Sequence, residues 1–283
     1  MSAGSRRHTR LQPDQTVRVF TGAAMPALAD AVVPLAWTDN GETRVTINRR
    51  VNPGDFVRKV GDDVTPGDIA VRAGTIVGPA QVGLLAAVGR DKVLVHPRPR
   101  VSIISVGNEL VDLDRIPGQG QVYDVASYAL TAAALEAGAE VHRVGIVSTE
   151  PRAFRELVET QLLRSEIVVI AGAVGGIASE HVRNVLADLG EVEVERVAMH
   201  PGSVQGFGLL GADQIPTFLV PSNAVSALLV FELMVRPMIR IALGKRHPMR
   251  RIIRARTIIP VTSMKGRAGY LCGQFMREEA TGE

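Results

Sequence analysis

From Arg100 onward, apolar residues fall in short unbroken runs, separated by stretches where they recur every three or four positions. Ile167–Ala171 is apolar and β-branched without alternation, which predicts a parallel strand covered on both faces. VSIISVG, AEVHRVGIV, EVEVERVAMH, FGLL and TFLVP predict further strands. Between them lie helical patterns. Asp124–Gly138 carries Leu130, Ala134 and Leu135 at helical spacing, and Pro151–Leu163 is opened by Thr149-Glu150-Pro151. Ser179–Gly190 follows, and then Ala224–Leu243, which Asn223 can cap and Pro237 interrupts. Strands alternating with helices predict an α/β fold, a mostly parallel sheet with helices on both faces.

The pattern before Arg100 differs. Val17–Asn48 reads as short strands and turns, and Asn52–Pro79 places Pro-Gly-Asp turns between short extended pieces. AQVGLLAAVG predicts a short helix ended by Gly89, and Pro97 and Pro99 mark a linker. Beyond the last helix, Ile252–Phe275 returns to β character. The expected organisation is a disordered tail over 1–12, a β-rich domain over 13–50 and a mixed α/β connecting domain over 51–98. The α/β domain over 99–245 follows, then a partial C-terminal β domain over 246–283.

Composition narrows the function classes. Aromatic residues make up 4% of the 283 positions, so stacking platforms for single-stranded nucleic acid are lacking and no nucleic-acid partner is expected. The single Cys272 excludes a disulfide framework or a cysteine zinc cluster and fits a reducing cytoplasm. Net charge is +3, with much of the excess between Lys245 and Arg267, where the alternation RIIRARTIIPV predicts a solvated strand face. No apolar h-region follows the basic start, and the longest apolar stretch carries Glu232, Arg236 and Arg240. Neither a secretory signal nor a membrane span is expected.

Candidate chemistry gathers in four loops that follow strands: SVGNELVD, AGAVGGIASE, AMHPGSVQG and LVPSNAVSA. Ligands of such sheets bind outside the carboxyl ends of the strands. Taken singly each loop is turn chemistry; four at one sheet edge predict a binding crevice. Gly172, Gly175 and Gly176 leave backbone N–H groups open to an anion, but no Lys, Arg, Ser or Asp precedes Ser179 and Glu180. GAVGGI is not a dinucleotide fingerprint, no P-loop or G-x-S-x-G elbow occurs, and the six histidines lack zinc spacing.

These loops, in this order and behind the TGA…DAVV segment, resemble the molybdopterin molybdenumtransferase family, which includes bacterial enzymes and the gephyrin E domain. RVFTGAAMPALADAVV is similar to the family's R-I-M-T-G-A-x-x-P-x-G-A-D-A-V-V, VRKVGDDVTPGD to V-R-x-x-G-E-D-I-x-x-G-D, and RPRVSIISVGNELVD to R-P-x-V-x-x-x-S-T-G-D-E-L. The resemblance implies that the α/β domain is of molybdopterin-binding type. It implies molybdate and adenylylated molybdopterin as substrates, Mg2+ as cofactor, and a homodimer. Molybdate is then inserted into the dithiolene and AMP is released. Carried residue by residue, it assigns Thr21, Arg58, Asp63 and Glu109 as catalytic, with Glu109 also the metal ligand. It assigns Gly107, Asn108, Asp124, Gly172, Gly175, Gly176, Glu180, His200, Gly202, Ser203, Ser222, Asn223 and Ser226 to substrate.

Several positions depart from the pattern. Asn108 stands for an aspartate, Val125-Ala126 for Ser-Asn, Gly175 for serine and Glu180 for aspartate. His200 and Ser203 replace the two lysines of M-K-P-G-K-P. Each lysine would be a charge-assisted donor to an oxyanion, so losing both weakens oxyanion binding by about 10²–10⁴ if the effects add. Two functions follow: a molybdenum-insertion enzyme with weakened anion contacts, or a catalytically degenerate dimeric scaffold that presents its surface to a protein partner.

Overall fold

The computed structural model describes residues 1–7, 9–175, 178–274 and 276, with the side chain of Ala178 left aside. The chain divides into two compact units, Met1–Val93 and Leu94–Glu283.

The second unit is the α/β body. Its elements in chain order are β1 (Arg100–Val106), β2 (Leu110–Val111), β3 (Val122–Tyr123), α2 (Val125–Ala137), β4 (Glu140–Val147), α3 (Pro151–Leu162), β5 (Ile167–Val174) and α4 (Ala178–Ala187). There follow β6 (Gly190–Arg196), β7 (Met199–His200), β8 (Val204–Leu210), β9 (Ile215–Pro221), α5 (Ala224–Val230), α6 (Arg236–Ala242) and β10 (Ala268–Gly269). The first unit holds α1 (Pro79–Ala87). Six strands form one sheet in the order β4-β1-β5-β9-β8-β6. The β4–β1, β1–β5 and β5–β9 pairs are parallel; β9–β8 and β8–β6 are antiparallel. The mostly parallel sheet is the one expected from the apolar runs.

Period-2 geometry divides the central strand between two cores. Ile167, Val169 and Ala171 face a core closed by Leu130 and Ala134 of α2 and by Val230, Phe231 and Ile239 from the last helical segment. Val168 and Ile170 face the other, closed by Phe154 and Val158 of α3 and Val182 and Leu186 of α4. All eight residues of β5 are buried, which is why its sequence shows no polar alternation.

Local signals fix the helix ends. Asp124 caps α2 by accepting from the Ser127 N–H, and Gly138 ends it in the left-handed conformation at φ 107°. Glu150 caps α3, and Asn223 caps α5. Ahead of Pro237 the final helix widens into a π turn, Phe231–Val235, in which the Arg236 N–H donates to the Phe231 carbonyl. The wider turn makes room for a proline ring that cannot donate to the preceding turn.

Two regions carry less strand than their patterns suggest. Among the described residues of Met1–Val93, strand pairing is confined to the bridges Arg10–Ala27 and Thr38–Ile47. Residues of the expected tail take part, because Leu11 donates to the Ala27 carbonyl. Phe20, Phe56, Val60, Ile69 and Ile76 of this unit are exposed, and an extended segment without a ladder or a face to bury gains little from strand pairing. After α6, strand structure among the described residues is the two-residue β10 beside β7. Ile252, Ile253, Ile258 and Ile259 are exposed, for the same reason. Arg250 donates to Glu232 at 2.9 Å and to Glu136 at 2.9 Å, tying the segment to α2 and the π turn.

Candidate active site

Leaving β1, the chain passes through α2 on one face to β4; leaving β4, it returns through α3 on the other face to β5. The carboxyl ends of β1 and β5 therefore flank the topological switch point, where loops splay and a crevice opens. A cleft of about 430 Å³ lies there. Ser105 and Val106 of β1, Gly172 of β5, Glu109 just before β2, Tyr123 of β3, the start of α2, and Ser222 and Asn223 after β9 form its walls.

Two glycines shape it. Gly172 has φ 85°, and a Cβ there would run into the Val106 carbonyl; glycine alone permits this approach. The β5–β9 register shifts between Ala171 and Val174, so the irregularity sits on the cleft. Gly107 is buried, and a Cβ on it would lie 2.8–3.0 Å from the Glu109 carboxylate. Glu109 is thus folded back over Gly107 at the mouth of the cleft. Its carbonyl accepts from the Val122 N–H at 2.8 Å, and that of Val111 accepts from the Asp124 N–H at 2.9 Å. The β2–β3 ladder holds the Glu109 loop and the entrance to α2 side by side.

The Asp124 side chain is fully buried. Oδ1 accepts from Ser105 Oγ at 2.9 Å and from the Ser127 N–H at 3.0 Å, while Oδ2 accepts from Ser127 Oγ at 2.5 Å. Its carboxylate is engaged by the protein itself, as a helix cap and an anchor to β1. Behind it, Arg143 Nη1 donates to Ser127 Oγ at 3.1 Å. Arg143 Nη2 donates to Asp112 Oδ2 at 2.9 Å and to Tyr128 Oη at 3.0 Å, and Tyr128 Oη donates to Asp112 Oδ1 at 2.5 Å. The guanidinium also stacks over the Tyr128 ring at 4.0 Å. The Tyr128 hydroxyl, followed by Arg143 and the Leu113 N–H, holds Asp112 down at about 2. The same hydrogen bond raises the Tyr128 pKa. Burial works against the Arg143 charge, but the contacts with Asp112 outweigh it and raise the Arg143 pKa.

The other sequence-designated residues are dispersed. Asn108 is exposed and accepts from Thr149 Oγ1 at 3.2 Å. Gly175 is exposed with open space around it, Glu180 is exposed on the first turn of α4, and Gly176 lies outside the described residues. His200 is exposed on β7, where its carbonyl accepts from the Tyr270 N–H. Ser203 follows on the turn into β8, its carbonyl accepting from the Val197 N–H. Gly202, at φ 80°, packs so near Val230 and the Ser226 carbonyl that its role is steric. None of Glu180, His200, Gly202, Ser203 and Ser226 lines the cleft. In the first unit Thr21 is an exposed turn residue, and Arg58 and Asp63 form an ion pair. That pair lines a broad groove with Lys59, Asp68, Arg90 and Lys92.

Among the described residues no Lys, Arg or His lines the β1–β5 cleft, and no group of three or more His, Cys, Asp or Glu is placed to form a metal cage. Donors among the described wall residues include the hydroxyls of Tyr123 and Ser222, the amide of Asn223 and the first N–H groups of α2; the exposed charge is Glu109.

Residues 1–89 match the MoeA N-terminal region (domain I and II), and residues 102–241 match a probable molybdopterin binding domain. Molybdopterin molybdenumtransferase 2 of Mycobacterium tuberculosis is 35% identical over 275 residues, covering 95% of this chain and 67% of the relative. The chain belongs to the molybdopterin molybdenumtransferase family. Molybdopterin molybdenumtransferase 1 of the same organism is 66% identical over all 283 residues, and the chain spans 66% of that relative's length. The crystal structure of the molybdopterin biosynthesis MoeA protein from Pyrococcus horikoshii superposes with a TM-score of 0.69 at 32% identity, covering 86% of this chain and 61% of that one.

Within this family member, motif reading overlooked Ser105 on the cleft wall and Ser127 and Arg143 outside it. Ser105 and Arg143 fall within predicted strands and Ser127 within a predicted helix, with no chemistry attached to them. One local signal was available: aspartate at a helix N-cap with serine three residues on. Its linkage to Asp112 and Arg143 spans 31 positions and could be found only in three dimensions.

Proposed function

We propose that this chain carries the pterin-binding and chemical centre of a molybdopterin molybdenumtransferase, inserting molybdate into adenylylated molybdopterin with release of AMP. The observation that supports it best is the cleft at the carboxyl ends of β1 and β5, whose walls bring together Glu109, the first residues of α2, Ser222 and Asn223. In this reading the α2 N–H groups and the Ser222 hydroxyl donate to anionic oxygens of the substrate. Asn223 uses Oδ1 to accept from the Ser226 N–H, which leaves its amide NH2 as a further donor. Glu109, exposed at the mouth, is the residue to hold Mg2+. Mg2+ favours one or two carboxylates completed by substrate phosphate and water over an all-protein cage, so a lone glutamate fits it. Bound there, the cation would neutralise phosphate charge.

In the same proposal Thr21, Arg58 and Asp63 serve the reaction from the first unit, and the protein works as a homodimer. The exposed Phe20, Phe56, Val60 and Ile69 of that unit support a partner surface. No helix among the described residues is long and apolar enough to cross a membrane.

The second reading is a binding scaffold without turnover. The absence of any Lys, Arg or His from the described cleft wall favours it. Molybdenum insertion assayed with purified full-length protein, adenylylated molybdopterin, molybdate and Mg2+ separates the two. Turnover that disappears in Glu109→Ala supports the enzyme. Absence of turnover with an intact dimer that still binds molybdopterin establishes the scaffold.

A further inference from the structure

Arg143, Asp112 and Tyr128 lie outside the cleft wall, yet the hydrogen bonds among their side chains and to Ser127 link the loop that follows β2 to the first turn of α2, directly and through β4. Asp112 directly follows β2 and so ends the Glu109 loop; Ser127 and Tyr128 are on the first turn of α2. Arg143 reaches them from β4. There the β1–β4 register slips, Ile103 facing Arg143 and Ile104 facing Gly145, so that Val144 is the extra residue of a bulge. A bulge re-aims the neighbouring side chain. Gly145, at φ 84°, carries the strand past the bulge in a conformation that favours glycine, and a Cβ on it would make only ordinary contact with Arg143 Nη1 at 3.4 Å and Asp112 Oδ2 at 3.8 Å.

The fork geometry is the point. One nitrogen serves Asp112 and Tyr128, while the other serves Ser127, whose hydroxyl passes the contact on to buried Asp124. Nη1 itself lies 3.9 Å from Asp124 Oδ2. A single planar cation thus fixes the distance between the loop bearing Glu109 and the helix end facing it. A lysine ammonium supplies equal charge but no fork. We infer that Arg143, Asp112 and Tyr128 are positioning residues: a clasp behind the cleft that holds Glu109 in register with the N-terminus of α2. The role in turnover rests on the enzymatic reading above; the mechanical role does not.

Two readouts on the full chain test it. In Arg143→Met, amide hydrogen exchange at Leu110, Val122 and Asp124 should accelerate at least tenfold, with exchange in β5 and β9 unchanged. In the insertion assay kcat should fall about tenfold or more while KM for adenylylated molybdopterin moves less than threefold, because alignment rather than contact is lost. Arg143→Lys should recover only a small part of kcat. Unchanged exchange in the loop overturns the clasp whether or not the protein turns over. So does loosened exchange with wild-type kcat, or full rescue by lysine. An inert wild-type protein whose Arg143→Met variant still shows the local loosening overturns the enzymatic reading and leaves the clasp supported.

Discussion

Gly107→Ala separates the stability of the fold from the geometry of the cleft. Gly107 is not in the left-handed region, so alanine can adopt its backbone conformation at no penalty and even gains a few tenths of a kcal/mol to about 1 kcal/mol through the unfolded state. The added methyl would stand 2.8 and 2.9 Å from the Glu109 carboxylate oxygens and 3.0 Å from its carbon. Ordinary carbon–oxygen contact is about 3.4 Å or more, so the carboxylate must retreat by about half an ångström or swing to another rotamer. It is the far end of a flexible, exposed side chain, and the retreat costs the fold little. For a reacting arrangement, displacements of this order cost about tenfold to a hundredfold in rate. The expected result is an unfolding free energy, from urea titration, within about 1 kcal/mol of wild type and insertion activity reduced at least tenfold. Wild-type activity would refute a positional role for Glu109; a large loss of stability would refute the packing reasoning.

Three further outcomes are expected. Gly172→Ala puts a side chain at φ 85° against the Val106 carbonyl, a backbone group that cannot swing away; left-handed strain plus overpacking should cost about 2–5 kcal/mol in urea unfolding, and a change below 1 kcal/mol would contradict it. Phe231→Ala removes a fully buried ring from the α2 side of the sheet and should cost about 3–5 kcal/mol, read from the same titration. Asp112 has its pKa depressed to about 2 against an unfolded value near 3.9. Its charge therefore contributes stability above about pH 4 that is lost as pH falls toward 2. The Tm difference between wild type and Asp112→Asn should accordingly shrink over that interval; a constant difference would argue against the paired carboxylate.

Much of the second unit was legible because its signals are local or periodic. An unbroken β-branched run such as Ile167–Ala171 has few alternatives to a strand covered on both faces, and Asp124, Gly138, Glu150 and Asn223 mark helix ends by their own chemistry. Extended segments in the first 93 residues were harder. Alternation such as ETRVTINR declares a tendency, but a strand exists only where another strand meets it, and here the meetings are single bridges. Motif reading located Glu109, Gly172, Ser222 and Asn223 on one cleft. It could not tell that Asp124 turns inward as a cap, or that the His200–Ser203 turn packs by β10 and α5 rather than on the cleft wall. Such facts depend on which loops the sheet order makes neighbours. The π turn before Pro237 is a compromise between a proline and a continuing helix, and the sequence names only the proline.

The most direct measurement is the position of the bound substrate: a crystal structure of the full-length protein with adenylylated molybdopterin. Density lying at the carboxyl ends of β1 and β5, with phosphate oxygens near the first turn of α2 and within reach of Glu109, is the expected result. Substrate bound elsewhere, with the Ser105–Gly172 cleft unoccupied and Glu109 unmoved, would contradict it.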